Sequence, residues 1–148
     1  IDMVKLRKHG YLEALLEAGV PIHRDLVVCG QIEFAETRDK TLQMLQSANP
    51  PDAILALNDI VTYAAFDAIK SLNLHIPQDV AIIGFTEDDN AAFVTPSLSA
   101  VMDQAHVQGA TACELLLRRI QGDRKVYKKV IPMIFKIRKS SDKQACED

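Results

Sequence analysis

Two short apolar runs limit what this chain can fold into. They are Pro51-Asp52-Ala53-Ile54-Leu55-Ala56-Leu57-Asn58-Asp59 and Ile76-Pro77-Gln78-Asp79-Val80-Ala81-Ile82-Ile83-Gly84-Phe85. Each passes from a polar or proline-containing start, through an unbroken apolar stretch, to small or polar residues. Apolar runs without alternation mark parallel strands covered on both faces. The interval from Ala53 to Val80 has room for one strand, one helix and two loops. In open α/β sheets, ligands bind beyond the carboxyl ends of the strands. Asn58, Asp59 and the residues after Phe85 are therefore expected to line a crevice.

The flanking sequence extends the same rhythm. Val4 to Ala18 carries apolar residues at helical spacing, with Gly19 and Pro21 as the stop. Leu26 to Cys29 reads as a short strand, and Glu36 to Ala48 as a helix with Leu42, Met44 and Leu45 inward. Asn49-Pro50-Pro51 breaks that helix. Asp59 is placed to cap a helix from Ile60 to Leu72. Its inward stripe is Val61, Ala64, Ala65, Ala68, Ile69 and Leu72, with Phe66 off the stripe. This alternation predicts an α/β fold, a parallel sheet with right-handed crossovers and helices on both faces. Beyond Phe85 the rhythm changes. Thr86 to Pro96 reads as a polar loop, Leu98–Val101 as a strand and Gln104–Ile120 as a helix. Val126–Pro132 and Met133–Arg138 read as two strands, with Pro132 at an edge or junction. The polar tail from Lys139 to Asp148 is expected to fray.

Composition excludes several function classes. The 148 residues suit one domain, or one domain and part of another. Net charge is −3 with both signs interspersed, so no basic stripe for nucleic acid is present. No apolar run approaches the roughly 18 residues of a membrane span, and no signal peptide is visible. The chain opens on Ile1 and reads as a piece of a longer protein. Cys29, Cys113 and Cys146 have no metal-ligand spacing and read as free thiols in a reducing cytoplasm. Cys29 and Cys113 fall in apolar stretches and are expected in the core.

The candidate site residues each have an ordinary reading beside a functional one. Asn58 and Asp59 follow a buried strand. Asp59 suits a helix cap, leaving the Asn58 amide to bond loop backbone or a polar ligand. Arg7 is either a solvated surface group or a planar grip for a carboxylate or paired hydroxyls. Glu87-Asp88-Asp89 lacks the glycine and terminal glutamate of a calcium loop and reads as a solvated loop. His9, His23, His75 and His106 are isolated, so no metal or cofactor is expected. No glycine-rich phosphate loop or nucleophile elbow occurs, and no nucleophile, base and oxyanion hole assemble. Asp103 precedes a helix and is an N-cap candidate. These features argue against an enzyme.

The order of segments resembles the effector-binding core of the lactose- and purine-repressor family. The resemblance runs from Arg7-x-x-Gly10-Tyr11-x-x-Ala14-Leu15 through Pro51-Asp52-Ala53-Ile54 and Asn58-Asp59. It continues with Ile76-Pro77-x-Asp79-Val80, Gly84-Phe85, Thr95-Pro96-x-Leu98-Ser99 and Gly109-x-x-Ala112. It closes at Arg138-Lys139-Ser140. Each motif is short, and their order and spacing together carry the resemblance.

The resemblance implies a periplasmic-binding-protein-like architecture. Residues 1–101 would form the C-terminal lobe and 102–125 a helix of the N-terminal lobe. Residues 126–138 would be closing strands and 139–148 a flexible tail. It also implies a cytoplasmic bacterial transcription regulator that senses a small polar metabolite, sugar-like in character. The ligand would meet Arg7, Ile32, Asn58, Thr86 and Asp103. Thr86 and Asp103 stand where the family usually has aspartate and glutamine, which moves the acidic acceptor to another strand end. A homodimer would form through Tyr63, Phe66, Ala92 and Phe93, and operator DNA would be bound by a headpiece far upstream. One rival shares the architecture, a periplasmic solute-binding protein; a second is an α/β enzyme domain of the nucleotide- or phosphate-binding kind.

Overall fold

The computed structural model describes residues 3–86 and 89–143. Glu87 and Asp88 of the acidic cluster, and Cys146, lie outside the described residues. Helix α1 spans Met3–Glu17. It ends where Gly19 takes φ +68°. The Gly19 N–H donates to Leu16 O and the Val20 N–H to Leu15 O, a reversal that only a left-handed residue permits at low cost. Helix α2 is Phe34–Leu45, strand β1 Ala53–Ala56, helix α3 Asp59–Ser71 and strand β2 Ala81–Phe85. Strand β3 is Ser99–Met102, helix α4 Ala105–Ile120 and strand β4 Ile134–Lys136.

The sheet order is β1-β2-β3-β4. The first three strands are parallel, and β4 runs antiparallel to β3. Ala56 sits opposite Gly84, and Phe85 opposite Val101. Helix α3 crosses the face that carries Ile82 and Gly84, and its Thr62 packs against Gly84. The core joins Ala65, Phe66 and Ile69 of α3 to Leu45 of α2 and to Ile82, Leu98 and Ala100. Helix α1 lies over the opposite face, where Arg7 reaches Phe85.

The C-terminal segment is stitched into the sheet. Ser140 is fully buried. Its Oγ donates to Ile82 O (2.6 Å) and accepts the Ser99 N–H (2.8 Å). The Ile82 N–H donates to Ser140 O at 2.8 Å. Ser99 Oγ accepts the Arg138 N–H, and the Arg138 guanidinium donates to Leu98 O. Residues 138–141 thus close the gap between β2 and β3, and the expectation of a frayed tail from Lys139 fails over this stretch.

Other expectations are corrected. Leu26–Cys29 is not a strand; a single 3-10 turn occupies Arg24–Leu26. The Cys29 carbonyl accepts from Lys40 Nζ (3.1 Å) instead of from a strand neighbour. Val126–Pro132 forms no ladder, and Tyr127 is tied locally to Asp123 through its hydroxyl (2.7 Å). Cys29 and Cys113 are exposed rather than in the core. Cys113 follows its helix, since no residue of α4 is buried. Phe66 is buried rather than turned outward. Helix α2 packs along α3, so α3 buries a second side in addition to its sheet-facing stripe. Arg38 of α2 bonds Asp67 of α3 at 2.6 Å across that seam.

Candidate functional site

The carboxyl ends of β1, β2 and β3 gather four of the expected ligand-facing residues. Arg7 comes to this edge from α1. Its Cζ stands 4.4 Å from the centroid of the Phe85 ring, a cation–π stack at the end of β2. Its Nη1 donates to Leu57 O just past β1. The Nε is buried without a hydrogen-bond partner among the described residues. A guanidinium fixed on an aromatic face and anchored through one nitrogen keeps its plane and its remaining donors available.

Asn58 is the N-cap of α3. Its backbone is extended, with φ −162° and ψ 174°, and its Oδ1 accepts the Val61 N–H at 2.9 Å. Its backbone carbonyl accepts the Thr62 N–H (2.9 Å) and the Thr62 hydroxyl (2.6 Å). The cap is therefore Asn58, one residue earlier than expected. Asp59 is the first residue of the helix proper, and its Oδ1 is buried without a partner among the described residues. An acid at this position is favoured by the helix dipole even without a hydrogen bond.

Thr86 is buried and continues from β2, with its N–H donating to Val101 O (3.2 Å). Asp103 follows β3 by one residue and is half-buried. It does not cap α4: the cap position is Gln104, which makes no side-chain cap bond. Gln104 instead donates to Pro132 O at 2.7 Å. Arg7, Asn58, Thr86 and Asp103 thus share one edge of the sheet.

Ile32 lies apart from that edge, 52% exposed in the loop before α2. It lines a cavity of about 620 Å³ between α1 and the sheet, with Lys8, Tyr11, Leu15, Asn58 and Ile83 among its walls. Arg7, Thr86 and Asp103 do not line this cavity, so Asn58 is the residue common to it and to the strand-end cluster. Of the expected self-association residues, Tyr63 is half-buried, Ala92 is exposed and Phe93 is 83% exposed. Phe66 is not on that surface. Among the described residues no three His, Cys, Asp or Glu side chains converge as a metal set.

Phe85 and Thr62 were not expected at the site. Phe85 has a signal in the strand alternation. With Ile82 and Gly84 toward α3, Phe85 must face α1, where it supports Arg7. Thr62 has none in the apolar periodicity, since a hydroxyl residue there reads as a break in the stripe.

Comparison with known proteins agrees with the geometry. Residues 3–141 match the family described as periplasmic binding protein-like domain. The HTH-type transcriptional repressor PurR of Aliivibrio salmonicida is 33% identical over 117 residues, 79% of this chain and 35% of that protein. A LacI-family regulatory protein from Chloroflexus aggregans superposes with a TM-score of 0.83 at 32% identity, covering 92% of this chain and 50% of that one. A LacI-family regulator from Enterococcus faecium with bound ribose gives 0.80 at 27% identity, covering 93% and 51%. The chain spans about a third of the length of these curated relatives and about half of the solved chains. No helix among the described residues is long and apolar enough to cross a membrane. The chain belongs to the periplasmic binding protein-like family, within the group formed by the effector-binding regions of LacI-family regulators.

Proposed function

We propose that this chain is the effector-binding and dimerisation region of a cytoplasmic bacterial transcription regulator with no enzymatic activity of its own. The effector is a small polar metabolite, sugar-like in its display of oxygen atoms. One observation carries the reading: the Arg7 guanidinium is stacked on Phe85 at the end of β2, next to the helix cap at Asn58. The guanidinium is only partly buried and is anchored through one nitrogen, so it keeps donors for a ligand oxygen at the strand ends. Thr86 and Asp103 complete the pocket, with Asp103 as the acidic acceptor; Ile32, on the cavity beyond Asn58, stays outside it.

Residues 102–125 belong to the opposing lobe in this reading, which accounts for an α4 with no buried residue and exposed Leu116, Leu117 and Ile120. Ligand between the lobes shifts the population toward one closure angle. That angle, passed across a homodimer, sets the spacing of two upstream headpieces on operator DNA. Tyr63, Ala92 and Phe93 contribute to the dimer surface. The repressor relatives favour a regulator over a periplasmic solute carrier.

The test is a thermal-shift panel on the full-length protein with pentoses, hexoses, disaccharides and purines. A ligand at a hundred times its Kd stabilises by about 2.7 kcal/mol. At least one compound is expected to raise the Tm, with the shift lost in Arg7→Ala and reduced in Asp103→Ala. A shift that survives Arg7→Ala unchanged would refute the site.

A further inference from the structure

Thr62 is an unexpected choice for its position. It is fully buried near the start of α3, on a helix whose other buried residues include Ala64, Ala65, Ala68 and Ile69. A β-branched residue is stiff in a helix, and a buried hydroxyl must be hydrogen-bonded to be tolerated. Valine would fill the same space without that demand. The space itself is tight, because a Cβ added at Gly84 would stand 2.5 Å from Thr62 Cγ2 and 2.8 Å from its Oγ1. The methyl and hydroxyl are therefore held in one orientation by β2, and the hydroxyl points to a single acceptor, the carbonyl of Asn58 at 2.6 Å.

We propose that Thr62 is a positioning residue for Asn58, keyed into Gly84, and that it makes Asn58 a hydrogen-bond donor toward the ligand. The inference rests on the reading of Asn58 as a ligand-facing residue. The Asn58 carbonyl is held by two donors from Thr62, and its Oδ1 accepts from Val61. The side-chain amide is thereby oriented with Oδ1 toward Val61 and Nδ2 turned the other way, without a partner among the described residues. Arg7 offers donors alone. The β1 end of the crevice then presents donors from both residues, which selects a ligand group rich in oxygen lone pairs: a ring or hydroxyl oxygen, a carbonyl or a carboxylate. An ammonium group is refused there. Acceptance of ligand donors falls to Asp103, one residue past β3. Gly84 also pairs with Ala56 and precedes Thr86 by two residues, so the same contact ties the β1 edge to the β2 edge.

Residue-resolved hydrogen exchange on the full-length protein tests this without a ligand. The reporter is the Val61 amide, whose bond goes to the Asn58 side chain. Thr62→Val is expected to raise Val61 exchange about tenfold or more while the Ile82 and Gly84 amides stay as in the parent. Thr62→Ser, which keeps the hydroxyl, restores the parental Val61 rate. Thr62→Ala gives the same Val61 rise should valine disturb folding. Unchanged Val61 exchange in Thr62→Val overturns the proposal, as does an equal rise across Val61, Ile82 and Gly84. Failure of the ligand reading would show separately, as a compound panel without any Arg7-dependent shift.

Discussion

Ser140 shows how a single hydroxyl can set the stability of a strand pair. It accepts from Ser99 and donates to Ile82 while fully buried, so Ser140→Ala strips two main-chain groups of a partner at once. Leaving a buried polar group unsatisfied costs about 1–3 kcal/mol. Ser140→Ala is therefore expected to destabilise by about 2 kcal/mol or more, read as a lower urea midpoint with unchanged slope. A change under about 0.5 kcal/mol, the range of an ordinary surface substitution, would show that water replaces the hydroxyl. The Arg-x-Ser segment was legible as a motif, but its role was not, because Ser140 finds its partners on strands distant in sequence. The exchange of roles between Asn58 and Asp59 has a local cause. Both residues cap helices well, and the extended backbone at Asn58 decides between them.

At the scale of elements, β1 and β2 were the easiest to read, although their burial alternates or is partial instead of covering both faces as their apolar runs suggested. The runs at Ala53 and Val80 became β1 and β2 within a residue, because an unbroken apolar run admits few alternatives at that length. Leu26–Cys29 has the same composition but lacks a ladder partner, and composition alone cannot supply one. Helix α4 was legible as a helix, while the fate of its leucines depends on chain outside this sequence. The turn from α3 into β2 gives an element-scale test. Asp79 accepts the His75 N–H at 2.6 Å and meets the imidazole at 3.1 Å. The backbone bond first, and the side-chain bond second, lower its pKa below the usual aspartate range. A depressed carboxyl contributes stability above its unfolded pKa and loses it as pH falls through the folded one. The Tm is expected to drop as pH falls below about 4, and to drop less steeply in Asp79→Asn. Parallel pH profiles for the two proteins would remove Asp79 from the account.

For the whole molecule, the exposed apolar residues decide which surfaces can meet a partner. Phe93 is 83% exposed and Ala92 lies beside it, while Phe66 has moved into the core. Sequence periodicity placed Phe66 outside because it counts one buried stripe, and α3 has two covered sides. Sedimentation equilibrium of the full-length protein is expected to show a dimer weakened by Tyr63→Asp and by Phe93→Asp. A dimer indifferent to both would move the interface elsewhere, and the exposed apolar residues of α4 would be examined next.

The strand-end crevice is tested most directly by a co-crystal of the full-length protein with a stabilising compound from the panel. The expected result is ligand oxygen within about 3 Å of an Arg7 guanidinium nitrogen and of Asn58 Nδ2, with Asp103 accepting from the opposite side. A ligand seated instead in the cavity between α1 and the sheet, out of reach of Arg7, would contradict it.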